Sequence, residues 1–374
     1  MKKLLFIFGT RPEAIKMVPL IKKFSSRKVF KVISCSTGQH KEMLDQVLDF
    51  FGVVPDFKLN VMKADQDLFD VTSSCLLNIR DVIRATKPDL VFVQGDTTTA
   101  FAGALAAFYE KVKVAHIEAG LRSHDRCSPF PEEINRCLIS KLTDYHFVPT
   151  KIAETNLINE GIRDNIWVVG NTVIDSLFLG LNIIEESQDR AIESKFCEID
   201  FTKKVILVTG HRRESFGKPF EQICHAIKEI SQKFDVEIVY PVHLNPNVQK
   251  PVKEILSGIK NVHLLKPLDY PEFIWLMKQS HLIITDSGGV QEEAPSLGVP
   301  VLVTRTVTER TEGVRAGNAL LVGQDRSKLI KSVSDLLVNQ SSYIKMTKVK
   351  NPYGDGDAAG KVMNVIEKKL PDNL

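Results

Sequence analysis

The chain lacks any apolar run near the roughly 20 residues that span a bilayer as a helix, which excludes membrane integration by that route. Cysteine is sparse: Cys35, Cys75, Cys127, Cys137, Cys197 and Cys224 are the six in 374 residues, with no C-x-x-C pair. That scatter suggests neither a zinc ribbon nor a disulfide framework and fits a reducing, cytoplasmic compartment. A dominant charge sign is also missing. Lys plus Arg number 49 against 46 Asp plus Glu, leaving a net charge of +3, and the basic residues are dispersed, which argues against a nucleic-acid partner. No G-x-G-x-x-G follows a strand, no G-x-S-x-G elbow is present, and Gly356-Asp-Ala-Ala-Gly-Lys361 has the wrong spacing for a phosphate loop. The histidines are dispersed and H-E-x-x-H does not occur, so neither a metal nor a nicotinamide cofactor is expected. Met1-Lys-Lys followed by Leu4–Phe8 imitates a signal peptide only faintly, because the short run meets Gly-Thr-Arg-Pro instead of a cleavage site.

What is present is alternation. Short apolar runs at 4–8, 29–34, 90–93, 112–117, 145–148 and 167–169 read as strands, with helices starting near Pro12, Lys41, Thr97, Pro131 and Lys151. From Lys203 the pattern restarts, with strands at 205–208, 237–240, 262–265, 282–284 and 299–303 and helices such as 219–234 and 289–296. This is the βαβ signature of parallel sheets. The expected fold class is therefore α/β: two doubly wound, Rossmann-like parallel-sheet domains. The chain exceeds the size at which single cores stop growing. The expected division is 1–185, 186–357 and a C-terminal helical segment 358–374 that can dock on either domain, packing back on the first being one option, with the polar stretch 185–201 as connector and a turn at Asn351-Pro-Tyr-Gly-Asp-Gly-Asp.

Ligands of such sheets bind outside the carboxyl ends of the strands. Polar residues there are the candidates. Ser287-Gly288-Gly289 after a strand and before a helix offers free N–H groups to a diphosphate, with Glu292 or Glu293 placed for ribose hydroxyls; the same Gly-Gly also suits a plain tight turn. Arg11, after Gly9-Thr10 and before Pro12, would face phosphates, and Lys16 would add charge unless it is a solvated surface lysine. Asp96, Glu118 and Glu132-Glu133 come from separate segments near one sheet edge. Clustered carboxylates raise one another's pKa, so that one holds a proton while another accepts one. The alternatives are a helix cap for Asp96 and complements to a helix dipole for the glutamates. His211, beside Arg212 and Arg213, suits a neutral ring or a phosphate contact, and His243 is the weaker candidate of the same kind.

Taken in order, FGTRPEAIKM, STGQHKEMLDQVL, VQGDTTT, HIEAGLRS, PFPEEINR, VTGHRRESFG, YPVHLNPNV, TDSGGVQEEAPSLGVPVLV and NPYGDGDAAGK closely resemble the bacterial non-hydrolysing UDP-N-acetylglucosamine 2-epimerases. The resemblance runs nearly end to end. It implies a glycosyltransferase-B-like fold with two domains facing across a cleft, and reversible conversion of UDP-GlcNAc to UDP-ManNAc without metal or NAD. The implied route is anti elimination of UDP to a 2-acetamidoglucal, then re-addition, supplying cell-surface polysaccharide. Alternatives within the same chemistry are a hydrolysing epimerase releasing ManNAc and UDP, or an epimerase of a modified UDP-amino sugar.

Carried onto this chain, the resemblance places Asp96, Glu118, Glu132 and His211 at the reacting sugar. It leaves open which acid serves which face. Arg11, Lys16, Ser287, Gly288, Gly289, Glu293 and Arg310 would hold UDP. It also implies a homodimer and a second UDP-GlcNAc as activator, near Gln39, His40, Arg212 and His243. Two departures stand out: Asp65 where the family commonly carries arginine, an acid that would repel a diphosphate, and Thr311 and Gly313 in place of the usual proline and alanine.

Overall fold

The computed structural model describes residues 1–39, 41–62, 65–187 and 191–370. Two compact units emerge, Met1–Leu179 with Tyr353–Leu374, and Gly180–Pro352. The expected 185/186 boundary lies instead at Leu179/Gly180, both positions falling inside the one helix Thr172–Ser187. The second crossing falls at Pro352/Tyr353, where the carbonyl of Tyr353 accepts the N–H of Asn171.

The first unit holds β1 (Lys2–Phe8), β2 (Phe30–Ser36), β3 (Phe57–Lys58), β4 (Leu90–Gln94), β5 (Lys113–Ile117), β6 (Tyr145–Val148) and β7 (Ile166–Val168), in the order β3-β2-β1-β4-β5-β6-β7. The second holds β8 (Lys204–Thr209), β9 (Val236–Pro241), β10 (Val262–Leu265), β11 (Leu282–Thr285), β12 (Val301–Val303) and β13 (Ala319–Leu321), in the order β10-β9-β8-β11-β12-β13. All pairings are parallel. The expected class, two doubly wound α/β units, is what the chain adopts.

Parallel sheets bury both faces, so their strands read as continuous apolar runs. In β1, Leu4 through Phe8 are fully buried, and Phe6 stacks on Phe92 of β4 with ring centroids 4.4 Å apart. β3 and β13, two and three residues long, are too short for periodicity to reveal. The expected helix 289–296 divides into an α turn, Gly288–Glu293, and a 3-10 turn, Ala294–Leu297, with Pro295 in the opening turn of the latter. The long helix Leu68–Thr86 and its capping box at Asp67 and Asp70 lie beyond the sequence expectations.

In both sheets the strand order reverses once, between β1 and β4 and between β8 and β11. At such a reversal the loops leave toward opposite faces of the sheet and open a crevice at the carboxyl ends.

Candidate functional site

In the first unit, β1 ends at Gly9-Thr10 and the helix Arg11–Ser25 begins with a capping box between Thr10 and Glu13. A side chain at Gly9 would meet Thr37 Oγ1 at 2.2 Å, so only glycine fits there. The buried Glu13 accepts from the N–H groups of Gly9 (3.0 Å) and Thr10 (2.7 Å) and from Thr97 Oγ1 (2.7 Å). Burial raises its pKa, partly offset by those hydrogen bonds. It thereby ties the β1 loop, which carries Arg11, to the β4 loop, which carries Asp96. Among the described residues no ion pair of Arg11 is found, and its side chain is half-buried.

Register aligns Gln94 with Ile117, so the residues that follow, Gly95-Asp96 and Glu118, emerge side by side. Glu118 has φ +64, a left-handed conformation that costs a non-glycine residue on the order of 1–3 kcal/mol and gathers at functional positions. Its carboxylate, only 5% exposed, takes Lys16 Nζ at 2.6 Å on both oxygens, Asn171 Nδ2 at 2.9 Å and a short contact from Gln94 Nε2. It also lies over Gly95, where an added Cβ would sit 3.6 Å from Oε2. Lys16, expected at a diphosphate, is thus the counter-ion of Glu118.

Asp96 is not the cap of the helix Thr98–Tyr109; Thr97 is, its hydroxyl accepting from the N–H of Ala100. That frees the Asp96 carboxylate to receive Arg136 Nε at 2.7 Å, while Asn135 holds its backbone carbonyl at 2.9 Å. Arg136 also donates to Glu133 at 2.9 Å. Glu133 further accepts from the N–H groups of Ser123 and His124; although burial raises its pKa, these bonds with Arg136 bring it below the ordinary value. Where a cluster of mutually repelling acids was expected, Glu118 pairs with Lys16, and Asp96 and Glu133 share Arg136. Glu132, at the first turn of the helix Glu132–Leu142, keeps one buried carboxylate oxygen without a hydrogen bond among the described residues. Buried polar atoms are as a rule hydrogen-bonded, so this oxygen is an acceptor still open to a donor. Beneath the cluster, His116 gives Nε2 to the carbonyl of Gly95 at 2.7 Å, and burial depresses its pKa to about 3, so it is neutral at physiological pH.

Of the residues that the resemblance associates with an activator, Gln39 accepts the hydroxyl of Thr99 at 3.0 Å and His40 lies outside the described residues, while the departure Asp65 is exposed with φ +57.

In the second unit, β8 ends at Thr209 and β11 at Thr285, flanking the reversal of the sheet. Their hydroxyls hydrogen-bond at 2.6 Å, and Thr285 Oγ1 also receives the N–H of Ser287, shaping the turn before Gly288-Gly289. Asp286, 2% exposed, accepts the backbone N–H groups of His211 (2.7 Å) and Arg212 (2.8 Å). The His211 ring stacks on that of His243 at 5.5 Å. Burial lowers the His211 pKa, Asp286 opposes this, and Arg212 and His243 add to it. Arg212 Nε is buried without an acceptor among the described residues, as expected of an anion ligand. Arg310 packs over Gly288 and pairs with Glu292 at 2.7 Å. The Glu293 carboxylate turns back toward Gly289.

Sequence reasoning missed Arg136, Asn171, Gln94 and Asp286, although three of the four lie inside the quoted motifs. A family model described as UDP-N-acetylglucosamine 2-epimerase matches residues 22–367. A Campylobacter jejuni protein of that name is 51% identical over 374 residues, covering 98% of each chain. The chain belongs to the UDP-N-acetylglucosamine 2-epimerase family. Among solved members, a Neisseria meningitidis epimerase bound to UDP-GlcNAc superposes with TM-score 0.90 at 46% identity, covering 98% of this chain and 100% of that one. A Methanocaldococcus jannaschii epimerase in complex with UDP-GlcNAc and UDP gives 0.80 at 37% identity, covering 98% and 99%.

Proposed function

We propose that this chain interconverts UDP-GlcNAc and UDP-ManNAc by inverting C2, in service of cell-surface polysaccharide assembly. The C2 hydrogen has no adjacent carbonyl, so direct deprotonation would leave an unstabilised carbanion. Elimination avoids that intermediate. A carboxylate takes the C2 proton, the C–H pair becomes the C1=C2 bond, and the C1–O bond breaks with its electrons departing on UDP. Re-addition of a UDP oxygen at C1 and return of a proton to the other face of C2 gives the epimer.

Roles divide by unit. In the first, Asp96, Glu118 and Glu132 move protons at C2, with Lys16 and Arg136 as fixed counter-ions and Arg11 as the cation left for the diphosphate. In the second, Arg212 and the Ser287-Gly288-Gly289 turn receive the diphosphate, Glu293 the ribose, and His211 the sugar–phosphate junction, with Arg310 supporting the turn. Preorganised donors aimed at a departing anion stabilise the charge that develops in the transition state. The observation that carries this reading is the emergence of Asp96 and Glu118 from adjacent strands, one in a left-handed strained conformation, both gripped by cations.

The test is an NMR time course of UDP-GlcNAc in deuterated water. Deuterium at C2 and the manno product should appear together, with little free UDP. Substrate that binds yet shows neither change would overturn the proposal, and accumulation of free ManNAc with UDP would assign the chain to the hydrolysing reaction.

A further inference from the structure

Asp286 is a buried acid whose position is dictated twice. It follows β11 where that strand lies beside β8, and its Oδ2 grips the N–H groups of His211 and Arg212 at 2.7 and 2.8 Å. The other oxygen, Oδ1, is buried with no hydrogen bond among the described residues and lies 3.3 Å from His211 Nδ1. The Asp286 side chain is 2% exposed, whereas His211 keeps 41% of its own side chain open. A buried carboxylate oxygen with no donor is costly. His211 Nδ1 stands at ion-pair distance from it, short of hydrogen-bond geometry, and a proton on that nitrogen would face the carboxylate.

We propose that Asp286 is a positioning residue that holds His211 in the Nδ1–H tautomer and leaves the lone pair of Nε2 to the substrate. The neighbouring ring makes the opposite choice. His243 Nδ1 accepts the N–H of Asn245 at 3.1 Å, so a neutral His243 carries its proton on Nε2. The stacked rings thus differ in tautomer, and each is set by a partner outside the stack. A carboxylate behind an imidazole fixes which nitrogen works and supports the cation that forms when it takes a proton. The groups facing His211 are Asp286, Arg212 and His243; only Asp286 favours the protonated ring. This inference deepens the epimerase reading and rests on it for its catalytic consequence, but the tautomer itself does not.

The experiment uses the full chain with 15N-labelled histidine. In the native protein at alkaline pH, His211 should show a protonated Nδ1 and an unprotonated Nε2. The reverse pattern would overturn the proposal with no variant needed. In Asp286→Asn the side-chain oxygen can still accept from the turn. That variant should bind UDP normally, while His211 titrates at lower pH and its tautomers mix. The kcat for C2 exchange should fall by about tenfold or more, within the range for a misplaced acid–base group, with KM little changed. An unchanged His211 titration and tautomer in the variant would reduce Asp286 to a brace of the turn. Because the NMR signature needs no turnover, it separates failure of this inference from failure of the epimerase reading.

Discussion

Replacing Asp175 by asparagine should remove a pH dependence of stability whose size follows from the raised pKa of this one buried carboxyl group. Asp175 lies on the helix Thr172–Ser187 and accepts the N–H groups of Ala359 (2.8 Å) and Ala358 (3.2 Å), closing the first turn of the last helix, Ala358–Lys369. Burial outweighs those bonds and raises its pKa to about 6. An unfolded aspartate titrates near 3.9, so the difference of about two units corresponds to about 3 kcal/mol. Because the folded pKa is the higher one, the native state binds the proton more tightly. The stabilisation is complete below about pH 4 and is lost as pH rises through the folded value. Asparagine keeps the shape and one acceptor but does not titrate. The stability of wild type minus that of Asp175→Asn should therefore fall by about 2 kcal/mol between pH 4 and pH 7, in urea unfolding at each pH. The chain has two tryptophans, and Trp167 lies under Lys369 of the last helix, with Nζ 5.6 Å from the ring centroid. In a Trp275→Phe background, Trp167 fluorescence thus reports this unit. A difference that stays flat with pH would refute the argument.

Arg136→Met strips the cation from both the partly buried Asp96 and the buried Glu133, and leaving a buried acid without its cation is destabilising. C2 exchange should be lost while calorimetry still detects UDP binding; full activity would contradict the assigned pairing. Gly120 has φ +81 and an added Cβ would lie 2.2 Å from the carbonyl oxygen of Ala153. Gly120→Ala should accordingly lower Tm, with a cost of at least about 1–3 kcal/mol from the backbone conformation alone; an unchanged Tm would be the contrary result. If Asp65, an acid, repels a diphosphate there, the reverse reaction started from UDP-ManNAc alone should show hyperbolic kinetics without a lag. A lag abolished by trace UDP-GlcNAc would instead reveal a working activator site.

Much of the fold was legible because its determinants are local. Buried parallel strands announce themselves as apolar runs, and the small or polar residues that end them mark where the chain turns. Asp96, Glu118 and His211 were singled out by that logic, since strand ends are visible in a single chain. β3 and β13 escaped because two or three residues carry no period, and their place depends on a neighbouring strand already laid down.

What the sequence by itself determined is thus the succession of strands and helices, the class of fold and the kinds of group at the strand ends. What only the tertiary structure decided is who neutralises whom: Lys16 with Glu118 lie 102 residues apart, Arg136 with Asp96 40, and Asp286 with the His211 turn 75. The reason is physical. An ion pair depends on separation in space and on exclusion of water, and neither exists until the sheet has set its register and buried the strand ends.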